Sequence, residues 1–116
     1  MAAYNVMKAK FLQIYDLYIQ KAERKNRTKE EVDSIIRWLT DYTDEEIRNI
    51  LKKEITLEEF LVNIPQLNIN ADLIKGLVCG IRVEEIKDPL TKKMRLLDKL
   101  IDELAKGKSL DKILRK

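Results

Sequence analysis

Histidine is absent from this sequence of 116 residues, and cysteine occurs once, at Cys79. Without imidazole there is no Ser-His-Asp triad, no Cys-His pair and no histidine general base. Zinc sites built from Cys and His fail on count, as does the Glu-x-x-His element of di-iron bundles. What remains is carboxylate chemistry. Glu84, Glu85 and Asp88 crowd together beside Arg82, and carboxylates so grouped can move protons or hold magnesium through waters. The same residues have structural uses. Asp88 stands before Pro89 as a helix N-cap does, and Arg82 can pair with either glutamate.

Three other patterns fail on inspection. Asn68, Asn70 and Asp72 occupy positions 1, 3 and 5 of a calcium loop, but Leu73 and Cys79 stand where glycine and a bidentate glutamate are required. Lys106-Gly107-Lys108-Ser109 ends like a phosphate loop, yet Asp102 holds the place of its first glycine and a helical pattern precedes it. Gly76 and Gly80 form a G-x-x-x-G pair inside an apolar stretch. On a helix that spacing predicts close approach by a neighbouring helix, with Cys79 as a small, inert packing thiol.

Binding is better provided for. Trp38, next to Arg37, lies off the Val32–Ile35–Leu39 face and belongs at a bundle edge, where tryptophan packs or anchors an interface. With Arg82, Glu84, Glu85 and Asp88, these two residues make the candidate interaction surface. Charge supplies an alternative. Residues 1–60 carry 11 basic and 12 acidic side chains, whereas residues 61–116 carry 12 and 8. The surplus lies in the tail, at Lys106, Lys108, Lys112, Arg115 and Lys116. A second cluster comprises Lys21, Arg24, Lys25, Arg27 and Lys29. Lys21, Arg24, Lys25, Arg27, Lys108, Lys112 and Arg115 are thus the candidate contacts to nucleic acid. A helix-turn-helix over residues 32–53 would lead with Asp44, Glu45 and Glu46 toward phosphate, so that mode is rejected.

The elements that carry these residues are clearly punctuated. A chain of this length buries roughly two thirds of its unfolded surface, enough for one domain without staples. Thr28, Thr43 and Thr56 are each followed at the third position by glutamate (Glu31, Glu46, Glu59), the pattern of three capping boxes. Apolar residues at helical spacing predict a first helix over Met7–Arg24 and further helices after each threonine. Pro65 closes the fourth. Asn68 or Asn70 caps a fifth, burying Leu73, Ile74, Leu77, Val78 and Ile81, although residues 81–86 could also run extended. Leu90, Met94, Leu97, Ile101 and Leu104 form a two-heptad seam after Pro89. Gly107 stops that helix, and Ser109 starts a last short one. The prediction is an all-α, single-domain multi-helix bundle of six to seven helices spanning residues 1–116.

Several blocks resemble a known family. They are Lys21–Lys25, Glu30–Val32, Ile36–Thr40, Pro65–Asn68, Gly76–Gly80, Val83–Leu90 and Leu97–Lys108. Together they are similar to a bacterial family known as a domain of unknown function, number twenty-two hundred. The likeness covers nearly the whole chain, with one departure at Ile69, where proline is usual. It implies a bacterial source and a free-standing domain, and brings no activity, ligand or catalytic residue.

The functional expectation is a non-catalytic protein-interaction module, binding another protein or itself. The alternative is a nucleic-acid-associated protein, and the third reading is a carboxylate-dependent enzyme around residues 82–88. No cofactor is expected. A single cysteine, no leader at Met1–Tyr4 and no long apolar run suit a cytoplasmic protein without membrane contact.

Overall fold

The computed structural model describes residues 6–115; Met1–Tyr4 and Lys116, used above, lie outside the described residues. Six α-helices are present among these: α1 (Phe11–Glu23), α2 (Lys29–Thr40), α3 (Asp44–Lys52), α4 (Leu57–Val62), α5 (Pro89–Ala105) and α6 (Leu110–Ile113). All three capping boxes form. In each, the glutamate N–H donates to the threonine Oγ1 at 3.1 Å, and the threonine N–H donates back to the carboxylate at 2.9–3.1 Å. Asp88 caps α5 as expected, accepting from the Thr91 N–H at 2.9 Å, with Pro89 at the first helical position. Gly107 follows α5 at φ +95°, a backbone region open to glycine.

The fold is wrapped on α5, which touches α1, α2, α4, α6 and the hairpin described below. Leu96 and Leu100 are buried as deeply as the predicted seam residues Leu97, Ile101 and Leu104, so this helix is apolar over more than one stripe. Within the core Phe11 and Phe60 stack face to face, with centroids 3.8 Å apart. The two are locked by the adjoining backbone: Phe11 N–H donates to Ile55 C=O and Leu57 N–H to Ala9 C=O, each at 2.8 Å.

That backbone pairing corrects the first predicted helix. Lys10 is extended and bridges Thr56, so the stretch from Met7 divides into a 3₁₀ turn (Val6–Lys8) and α1. A larger correction falls on residues 69–81, where the fifth predicted helix does not exist, while the extended alternative at residues 81–86 holds for Ile81–Arg82. Instead a 3₁₀ turn (Ile69–Leu73) leads to a hairpin of β1 (Leu77–Val78) and β2 (Ile81–Arg82), followed by a 3₁₀ turn (Val83–Glu85). Cys79 and Gly80 form its two-residue loop, both at positive φ (51° and 78°), as a type I′ turn requires. Gly76, Cys79 and Gly80 all have left-handed backbone angles. The two glycines therefore serve chain reversal and not helix packing, and Cys79 is exposed, not buried. Ile74 and Val78 are buried as expected, but Leu73, Leu77 and Ile81 face outward.

Candidate interaction surface

The predicted surface divides into three parts. Arg37 is engaged within the chain: its guanidinium donates to Glu30 at 2.7 Å and to Asp44 at 2.5 Å, joining α2 to α3. Trp38, half-buried, shares a shallow depression of about 230 Å³ with Asp41, Gln66, Asn68 and Ile69. Asn68 fixes the floor of that depression. Its side-chain amide donates to Trp38 C=O at 3.1 Å, and its N–H to Leu39 C=O at 3.0 Å.

The carboxylates near the hairpin are also occupied. Glu84 accepts from the Gly76 N–H at 3.0 Å, and that bond holds its carboxyl below the usual range. Arg82 stands 3.9 Å from Glu84. Asp88 is held low by the Thr91 hydroxyl and N–H that it caps. Both shifts run opposite to what a general acid needs. Glu85 is exposed. Among the described residues, no hydrogen bond or ion pair joins Arg37 and Trp38 to residues 82–88, and no cluster of three or more His, Cys, Asp or Glu is arranged to hold a metal.

The two basic clusters, eighty residues apart in sequence, meet at the C-terminal end of α5. Lys21 reaches Asp102 (3.4 Å), which also takes Lys106 (3.0 Å). Arg27 donates to Leu104 C=O at 3.0 Å, to Lys108 C=O at 2.9 Å and to Glu31 at 2.7 Å. Arg115 makes a two-pronged contact with Glu103 (2.6 and 2.8 Å), and Lys108 lies 3.4 Å from the same carboxylate. Arg27 and Arg115 are therefore internal ties. Arg24, Lys25 and Lys112 are exposed and make no ion pair among the described residues.

One site went unread in the sequence. An open groove of about 830 Å³ runs between α1 and α5, with walls that include Met7, Ile14, Leu17 and Met94. At its polar end Tyr18 donates to Asp98 Oδ1 at 2.5 Å, and Arg95 reaches Oδ2 at 3.4 Å. Burial pushes the Asp98 carboxyl above the usual range despite both partners. The available signal was Arg95 and Asp98 at i, i+3, flanking the Met94–Leu97 seam.

These features define a class of small, mostly helical protein, built around one core helix and completed by a hairpin. The chain belongs to the family described as uncharacterized protein conserved in bacteria (DUF2200), which matches residues 5–115. It is similar to the crystal structure of uncharacterized protein SP1917, with 38% identity, a TM-score of 0.90, and coverage of 94% of this chain and 89% of that one. No curated protein matches it. The solved structure shares the fold, and neither match indicates a specific activity. Among the described residues no helix is long and apolar enough to cross a membrane.

Proposed function

We propose that this chain is a non-catalytic protein-interaction module, and that its partner docks on the segment from Ile69 to Ile81. One observation carries this reading. Of seven exposed large hydrophobic side chains among the described residues, four lie in that segment: Ile69 (80% exposed), Leu73 (50%), Leu77 (53%) and Ile81 (43%). Singly exposed apolar residues are ordinary, but four in one short segment favour it as a docking element, with Leu77 and Ile81 offered on opposite faces of the hairpin. Trp38 shares a shallow depression with Ile69, and Arg82 stands across the hairpin from Leu77, so two residues of the predicted surface adjoin exposed apolar side chains of this segment.

The nucleic-acid reading has thinner support, because Arg27 and Arg115 are spent on internal contacts and acidic side chains intersperse the lysines. The carboxylate-enzyme reading loses Glu84 and Asp88 to backbone capping.

The test uses the immobilised natural chain beside its Ile69→Asp and Leu77→Asp variants, with bacterial lysate at moderate salt after nuclease treatment. A protein retained by the natural chain, lost from both variants and bound again when purified supports the proposal. Capture abolished by nuclease, or unchanged in both variants, overturns it. Sedimentation of the three chains detects self-association through the same segment.

A further inference from the structure

The groove between α1 and α5 is a separate feature from the Ile69–Ile81 segment, and its chemistry specifies a kind of ligand. Its volume of about 830 Å³ falls in the range of small-molecule sites. Leu17, on its wall, is 58% exposed, more than any other large apolar side chain of α1. Met7 and Met94 supply flexible, polarizable walls that adapt to an apolar body.

Among the described residues the polar end has no acceptor to spare. Both Asp98 oxygens are engaged, Oδ1 by Tyr18 and Oδ2 by Arg95. Arg95, its side chain 25% exposed, carries five N–H groups; among the described residues it makes that single, long bond, and its buried Nε–H meets no acceptor. An unmet buried donor is costly, and a ligand oxygen arriving beside the guanidinium would let it turn and pair. Charge narrows the choice further. Arg95 pairs with Asp98 at close range and Lys21 acts on the same carboxylate from farther off, so a ligand carboxylate would compete with Asp98 for these cations, and an ammonium group would meet Arg95. A neutral carbonyl meets neither objection.

We propose that this groove binds a small uncharged acyl compound, an amide or ester. Its carbonyl oxygen accepts from Arg95, and its hydrocarbon chain lies against Met7, Ile14, Leu17 and Met94.

The experiment titrates ¹⁵N-labelled full-length protein with N-methyldecanamide, then with decanoate and decylammonium as charged probes of matching chain length. The amide is expected to shift the resonances of Leu17, Tyr18, Arg95 and Asp98, and to bind about tenfold more tightly than either charged probe. Arg95→Met is expected to weaken the amide by about tenfold, and Leu17→Asp, at the exposed wall, to abolish its binding. Should Arg95→Met fail to fold, the Leu17 variant and the charged probes still decide the matter. Equal binding of decanoate, shifts that map elsewhere, or no saturation by on the order of 1 mM amide overturns the proposal. Shifts at the same residues that follow protein concentration alone would assign the groove to a second copy and likewise overturn it.

Discussion

Arg115 grips Glu103 with two hydrogen bonds of 2.6 and 2.8 Å, fastening the end of the chain to the buried side of α5. Glu103 is only 6% exposed, so losing its main partner leaves a buried charge to Lys108 and Lys99 at 3.4 and 3.9 Å. Arg115→Met is therefore expected to cost about 2–4 kcal/mol in urea unfolding. Burial pushes the Glu103 carboxyl up, but Arg115 and Lys108 outweigh it and hold the group below its ordinary value of 4.5. A depressed carboxylate stabilises the fold above the unfolded value, and that stability is lost as pH falls through the folded one. The natural chain should thus weaken below about pH 4.5, and Glu103→Gln should flatten part of that slope. Parallel slopes in the two chains would remove Glu103 from the account.

Asp98 has the opposite linkage. Its carboxyl is raised above 3.8 by burial, so the folded chain holds this proton more tightly than the unfolded one. Its contribution to stability is then greatest in acid and declines as pH rises through the folded value. Asp98→Asn keeps an acceptor for Tyr18 and abolishes this titration. The stability of the variant relative to the natural chain should therefore decline as pH is lowered from 7 toward 4. Denaturant midpoints at several pH values measure it, and a pH-independent difference would contradict the assignment.

Cys79 occupies the outer end of a two-residue hairpin loop and is exposed. It should take up one equivalent of a thiol reagent in the native protein without denaturant, at a rate near that of a free peptide thiol. A rate slowed a hundredfold, about 3 kcal/mol of protection, would put the thiol back inside the core.

What could be read from the residues was local and repetitive. Thr28, Thr43 and Thr56 with their glutamates announce helix starts through contacts spanning three residues, and no tertiary structure is needed to complete them. The segment from Asn68 to Ile81 defeated the same reasoning because its apolar spacing suits a helix while its two inner glycines belong to turns. The chain's decision there rests on distant groups. Asn68 is anchored to Trp38 and Leu39, Lys99 donates to Leu77 C=O at 3.1 Å, and Glu84 closes on Gly76. Cys-Gly is also a weak signal for a type I′ loop, which asparagine or aspartate before glycine marks more plainly. The groove escaped notice for a related reason: Tyr18 meets Asp98 across 80 residues.

Arg27 joins the turn after α1 to the far end of α5, with donors to Leu104 C=O, Lys108 C=O and Glu31. Its fork serves three acceptors at once, which the single ammonium of lysine cannot do in the same directions. Arg27→Lys should cost about 2 kcal/mol even though charge is conserved. A change within about 0.5 kcal/mol in chemical unfolding would show these bonds to be replaceable by water.

Gly80 tests the hairpin itself. Its φ of +78° is accessible to glycine at little cost, and a Cβ built there meets nothing within 4 Å. Sterics with neighbours therefore contribute nothing, and Gly80→Ala isolates the backbone strain of a left-handed L-residue, about 1–2 kcal/mol. The strain falls on a two-strand element beside a core that is held independently by α5, so the hairpin should open locally while global unfolding changes little. Hydrogen exchange of the Val83 N–H, which donates to Gly76 C=O at 3.0 Å, reads that opening directly. A tenfold faster exchange at Val83, with the amides of Leu97 and Ile101 unchanged, is expected. Equal acceleration at all three sites would mean that the hairpin and the core unfold as one unit, and that the surface from Ile69 to Ile81 is as rigid as the helices beneath it.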